Sequence, residues 1–216
     1  WNDPLNVGAI GVDGGPAANA LAREADLVIA VGTRLQDFTT GSHALFPQAK
    51  LLGLNVQRFD AGKWGGAALV ADAQLGLTRL STAAVGWRAE AAWTARSRDL
   101  AAGWNARVTD LTTQVPKENE LPYDAEVIGA VRESHPDSPQ RDIVVCAAGT
   151  LPAELHKLWR AGHPGSYHME YGYSCMGYEI AGGLGVKIAR PEAEVIVMVG
   201  DGSYLMMNSE IATSVM

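Results

Sequence analysis

Cysteine is almost missing from this chain. Cys146 and Cys175 are the only two in 216 residues. Two thiols without metal-type spacing exclude a disulfide framework and a cysteine-based metal site. Long apolar runs are missing too. Ile143 to Ala148 and Val195 to Val199 are the longest, far below the roughly 20 residues a membrane-spanning helix requires. No signal-peptide pattern is visible. Positive charge is thin: 17 Lys and Arg stand against 24 Asp and Glu, the net charge is -7, and no basic run occurs. Neither nucleic acid nor an anionic membrane is therefore the expected partner. Repeats and low-complexity tracts are absent, and a reducing, cytoplasmic setting is expected. What remains is ordinary: 47% apolar and 19% charged residues, the balance of a soluble globular protein. The chain opens on Trp1 and stops within an apolar helical pattern, which predicts a piece of a longer protein.

The apolar segments are continuous rather than alternating. Leu27 to Val31, Lys50 to Asn55 and a very short Leu69 to Val70 read as strands, with an Ala-rich helix over Pro16 to Ala25 ahead of them. Continuous apolar strands between helices predict a parallel sheet covered on both faces. From Val85 to Val115 the composition shifts to Ala, Arg, Trp and Asp. Leu100, Trp104, Val108 and Leu111 share one helical face there, which predicts a linker helix broken by Pro116 to Pro122. The α/β pattern then returns. Asp124 to Ser134 reads as a helix with Asp124 as N-cap and His135-Pro136 as its stop. Asp142 to Ala147 and Glu194 to Val199 read as strands, Gly172 to Ala189 as a glycine-punctuated helical region, and Tyr204 to Met216 as a helix. The expected fold class is α/β, with two parallel-sheet domains, both incomplete. The expected division is 1–82, a linker helix and loop over 83–121, and 122–216.

Two motifs carry chemistry. In the first, the strand Val195 to Val199 delivers Gly200-Asp201-Gly202-Ser203 at its C-terminal end, where ligands gather in such sheets. Glycines permit close approach of a ligand, free amides at a helix start suit phosphate, and Asp201 suits a hard cation such as magnesium. A tight strand-to-helix turn capped by Asp201 accounts for the same four residues. The second motif runs from Gly172 to Gly185 and holds five glycines in a stretch that otherwise favours helix. Each costs about 1 kcal/mol relative to Ala there, which close packing against a cofactor or another backbone would explain. A helix-packing surface of small residues is the simpler account.

Together with Gly149-Thr150 after a strand, the Ser174-x-Met176-Gly177 turn and Gly200-Asp201-Gly202-Ser203 resemble the thiamine-diphosphate enzyme superfamily, which includes acetolactate synthase and pyruvate decarboxylase. Residues 1 to about 80 resemble the later part of its middle domain, through Asp26 to Arg34 and Leu54 to Gln57. The resemblance implies thiamine diphosphate and Mg2+ as cofactors, with Asp201 as metal ligand. Gly202, Ser203, Gly149, Thr150 and Leu151 would then line the diphosphate, Met176 would support the cofactor as an apolar wedge, and backbone near Ser174 would meet the aminopyrimidine. It also implies a homodimer or homotetramer with the cofactor site at the subunit interface, and an activating glutamate on a domain outside these residues. For the 216 residues taken alone, no enzyme activity is expected.

A narrower resemblance lies in His168 to Glu179 and in Asn55 to Asp60 followed by Lys63-Trp64. These are similar to the trihydroxycyclohexane-1,2-dione hydrolases of myo-inositol catabolism. At Ser174, Cys175 and Glu179 the chain departs from acetolactate synthases. The implied reaction is hydrolytic C–C cleavage that opens the cyclic dione to 5-deoxy-glucuronic acid, with His168 and Glu170 as candidate catalytic residues. An acetolactate synthase-like carboligase is the alternative enzyme. A nucleotide-binding module is the alternative of another class, because Gly8, Gly11, Gly14 and Gly15 approximate a dinucleotide loop. Their spacing is wrong, however, and no strand precedes them. Asn208 follows Asp201 too soon to be the family's second metal-binding Asn. Glu170 and Glu179 also fit plain packing roles, as does Cys175 as a small buried residue.

Overall fold

The computed structural model describes residues 1–134 and 142–216. It divides into two compact units, one of residues 2–105 and one of Trp1 with residues 106–216. The expected helix stop at His135-Pro136 lies outside the described residues.

In the first unit, α1 (Pro16–Glu24) leads into β1 (Leu27–Val31), and α2 (Asp37–Thr40) precedes β2 (Lys50–Asn55). Then come α3 (Arg58–Ala61), a 3-10 turn at Lys63–Gly65, β3 (Ala67–Val70) and α4 (Ala73–Ala83). The strands form a parallel sheet in the order β1-β2-β3, with Leu27 opposite Lys50 and Leu52 opposite Ala67. β2 is central, and its Leu54 is fully buried. Ala22, Ala30, Leu35, Leu45 and Phe46 form the core beside the sheet, but the expected cover on both faces is not met, since Leu27, Ile29 and Val31 of the edge strand β1 stand exposed. α4 is the one helix here with a side-chain cap: Asp72 accepts from the Leu75 N–H at 3.1 Å.

α5 (Ala91–Thr112) contributes to both units. Its face of Leu100, Trp104, Val108 and Leu111 is turned inward, with Ser97, Ala101 and Thr112 buried on the same side. Trp104 settles the glycine loop at the start of the chain. A side chain at Gly15 would come within 3.2 Å of its indole, and Asn19 bonds both the N–H and the carbonyl of Gly11 at 2.9 and 2.8 Å. The loop is packed and cross-tied as the entry to α1.

The second unit holds α6 (Asp124–Glu133), β4 (Asp142–Cys146), α7 (Thr150–Leu158), β5 (Tyr167–Met169), α8 (Tyr178–Ala189), β6 (Glu194–Val197), α9 (Asp201–Met207) and α10 (Ser209–Val215). Its parallel sheet has the order β5-β4-β6. Every residue of β4 is buried, consistent with its central place.

Several boundaries differ from expectation by a few residues, three of them for a visible reason. The N-cap of α6 is Tyr123, not Asp124, because the Glu126 carboxylate reaches back to the Tyr123 N–H at 2.9 Å. Asp124 is instead the first helical residue, where its charge complements the helix dipole. The region from Gly172 becomes helical only at Tyr178. The amides of Tyr173 and Cys175 are taken by the Glu170 carboxylate, and Ser174 adopts a left-handed φ of 59°. The final helix begins at Asp201 rather than Tyr204, because the Gly200 carbonyl already accepts from the Tyr204 N–H at 2.9 Å. It breaks at exposed Asn208, between α9 and α10.

Candidate cofactor site

Three loops leave the carboxyl ends of adjacent parallel strands. β4 passes through Ala147 and Ala148 to Gly149, the N-cap of α7. β6 extends one ladder bond further, Met198 N–H to Val145 carbonyl at 3.0 Å, and reaches Gly200, the N-cap of α9. β5 gives way to the segment Glu170 to Gly177, with the Glu170 N–H on the Cys146 carbonyl at 3.2 Å. In an open parallel sheet this edge is where a ligand meets backbone amides and strand-end side chains.

The strand ends are open to an approaching group. A side chain built at Gly200 would touch nothing within 4 Å, and one at Gly149 would meet only the Pro152 ring at 3.6 Å. Gly149 also has φ 137°, which side chains rarely adopt. Thr150 is exposed in the first turn of α7, and Leu151 is half-buried beside it. Asp201 is exposed, its Oδ1 accepting from the Gly202 N–H at 2.8 Å. Met176, 40% exposed, lies over the other strand-end loop, its Cε 3.6 Å from where a Cβ of Gly202 would stand.

Ser203 is the exception among the expected contacts. It is 2% exposed, and its hydroxyl is committed inward. Oγ accepts from the Gly177 N–H at 2.6 Å and donates to Glu179 Oε1 at 2.6 Å. The Ser203 hydroxyl is thus tied to Gly177 and Glu179 rather than turned to the strand-end opening. Sequence reasoning missed this tie, since nothing in the residue pattern pairs Glu179 with Ser203 across 24 positions.

The two catalytic candidates fall differently. His168 sits in β5, but its Nε2 donates to the Gly165 carbonyl at 3.0 Å, which turns the ring back toward the start of the strand. Glu170 stands at the strand end and organises its loop, accepting from Tyr173 and Cys175 at 3.0 and 2.7 Å. The Cys175 and Tyr173 amides hold its carboxyl below the ordinary glutamate range. Cys175 is exposed, and loss of hydration, with the Glu170 carboxylate beside it, pushes its thiol up. Burial likewise raises the Cys146 thiol, 3.6 Å from the Tyr167 hydroxyl. Neither cysteine sits where its thiolate is favoured.

The geometry suits a magnesium-held diphosphate. Asp201 offers a hard oxygen, and the glycines leave backbone approachable beside it. Among the described residues no group of three or more His, Cys, Asp or Glu side chains assembles to hold a metal. A cation here would take its other oxygens from the diphosphate, backbone and water, as magnesium commonly does.

Residues 1–80 match the thiamine pyrophosphate enzyme central domain, and residues 147–216 match the thiamine pyrophosphate enzyme C-terminal TPP binding domain. The chain is 42% identical to 3D-(3,5/4)-trihydroxycyclohexane-1,2-dione hydrolase of Geobacillus thermodenitrificans. It is 40% identical to the enzyme of that name from Clostridium perfringens and 41% identical to that from Bacillus cereus. Each similarity covers 98% of this chain and 36% of the relative, so the chain spans about a third of the relatives' length. The two parallel α/β units, the strand-end Gly-Asp-Gly-Ser turn and these matches together assign the chain to the thiamine pyrophosphate enzyme family, of which it carries central-domain and TPP-binding-domain sequence.

Proposed function

We propose that the protein containing this chain is a thiamine-diphosphate- and Mg2+-dependent hydrolase. It opens 3D-(3,5/4)-trihydroxycyclohexane-1,2-dione to 5-deoxy-glucuronic acid in myo-inositol catabolism, adding one water for the C–C bond broken. The observation that supports this most is the convergence of Gly149, Met176 and Asp201 at the carboxyl ends of adjacent strands, in a chain whose relatives bear that hydrolase's name. Thiamine diphosphate, when bound, supplies the electron sink that carbon–carbon cleavage beside a carbonyl requires.

This chain's residues would bind and orient that group. Asp201 gives magnesium a charged oxygen. Gly149, Thr150, Leu151, Gly202 and the Ser203 backbone present the diphosphate with amides and open space. Met176 supplies an apolar surface, and the backbone turn at Ser174 offers polar groups to the cofactor's ring. Glu170 keeps that turn in shape. A homodimer or homotetramer in the cytoplasm, with the site at the subunit interface, belongs to the same reading.

The test uses the full-length protein with magnesium and thiamine diphosphate. Given the cyclic dione, it is expected to release the open-chain acid; given pyruvate, it should form no acetolactate. Asp201→Ala should weaken thiamine diphosphate binding at least about tenfold in calorimetry, through loss of a charged metal ligand. Acetolactate formation without dione opening would establish the carboligase instead.

A further inference from the structure

Among the described residues of the second unit, Glu179 is the one acid at 0% exposure. Its Oε1 accepts from the Ser203 hydroxyl at 2.6 Å, while its Oε2 has no hydrogen-bond partner. A buried carboxylate with an orphaned oxygen is costly, so its single bond calls for an explanation. That bond continues through Ser203 Oγ to the Gly177 N–H at 2.6 Å. The relay crosses from the first turn of α8, through the first turn of α9, to the end of the Glu170–Gly177 loop.

The same two segments also meet elsewhere. A Cβ on Gly177 would stand 2.4 Å from Met207 Cγ, so the loop's last residue is seated directly on α9. Met176 Cε lies against Gly202 on the exposed side. Ser203 is two residues from Asp201, and Gly177 is the neighbour of Met176. A relay that fixes Ser203 against Gly177 therefore sets the spacing between the carboxylate expected to hold magnesium and the side chain expected to support the cofactor.

We infer that Glu179 is a positioning residue: through the Ser203 hydroxyl it locks the Met176 loop to the Asp201 turn, so that the two halves of the cofactor site are held as one piece. This rests on the proposed cofactor reading but adds a residue that touches neither cofactor nor substrate. Packing alone would need no acceptor at this position. The relay needs one, and its geometry requires that the acceptor face Ser203.

The full-length protein tests this through cofactor binding rather than turnover. Thiamine diphosphate is titrated at fixed magnesium into wild type, Ser203→Ala, Glu179→Ala, Glu179→Gln and the double alanine variant, and amide hydrogen exchange is followed at Gly177. Ser203→Ala should raise the cofactor Kd about tenfold and speed Gly177 exchange, since that N–H loses its acceptor. Glu179→Gln keeps an acceptor for Ser203 and should stay within about threefold of wild type, with Gly177 still protected. The double variant should be no worse than either alanine variant, because both break one relay. If Glu179→Ala does not fold, the contrast between Ser203→Ala and Glu179→Gln decides alone. Wild-type affinity in Ser203→Ala, or multiplied losses in the double variant, would overturn the relay while leaving the cofactor assignment intact. A wild type that binds no thiamine diphosphate would overturn the cofactor reading itself, and the inference with it.

Discussion

At the residue scale, the strand-end loops show how one side chain can settle a backbone path. Glu170 stands just ahead of the stretch expected to be helical from Gly172, and its carboxylate gathers the amides of Tyr173 and Cys175, so that the helix starts only at Tyr178. Those two bonds favour the ionised form, so the folded carboxyl titrates below its unfolded value. A depressed folded pKa makes a stabilising contribution that is fully present above the unfolded value, about 4.3 for glutamate, and is lost as the pH falls through the folded one. The Cys175 amide should therefore be protected from hydrogen exchange in wild type relative to Glu170→Gln at neutral pH. The two should converge as the pH drops through the folded value. Equal exchange in both proteins at neutral pH would show that Glu170 does not hold the loop. The place of Asp201 at a strand end was legible in the sequence, since an apolar strand runs into glycine just before it. The inward turn of the Ser203 side chain was not, because rotamer choice depends on a partner 24 residues away.

At the scale of elements, the strands were legible nearly residue for residue. Leu27 to Val31 and Lys50 to Asn55 form the strands their apolar runs predicted. β5 was missed, since Tyr167–Met169 is three residues long and lacks an apolar run. The helix starts shifted wherever a side chain or a carbonyl satisfied the first amides, as Glu126 does for α6 and the Gly200 carbonyl for α9. The junction of α8 with α9 carries its own prediction. Gly177 combines φ 91° with a virtual Cβ 2.4 Å from Met207 Cγ. Gly177→Ala should cost at least about 2 kcal/mol, from left-handed backbone strain and overpacking together. Chemical denaturation measures it, and adding Met207→Ala should recover the packing share but not the strain. A Gly177→Ala protein as stable as wild type would show that this contact is not tight.

At the scale of the whole molecule, both units leave apolar side chains exposed. Leu27, Ile29 and Val31 share one face of the edge strand β1 in the first unit. Leu205, Met206 and Ile211 are exposed on α9 and α10 in the second. Contiguous apolar surface of this kind drives association. The 216 residues expressed by themselves should therefore self-associate as concentration rises, seen by light scattering, and Ile29→Lys should reduce it. A monodisperse monomer over the whole concentration range would refute this. Among the described residues no helix is long and apolar enough to cross a membrane, which agrees with the short apolar runs. The sequence by itself determined the α/β class, the parallel strands and the residues at the strand ends, because apolar continuity, glycine and a lone carboxylate are local signals. Only the tertiary structure decided which of those residues face outward and which face each other. It set β4 beside β6, turned His168 back toward Gly165, and buried Glu179 against Ser203. Those outcomes depend on contacts between residues far apart in the chain, and the burial that fixes them exists only once the sheet and its helices have closed around them.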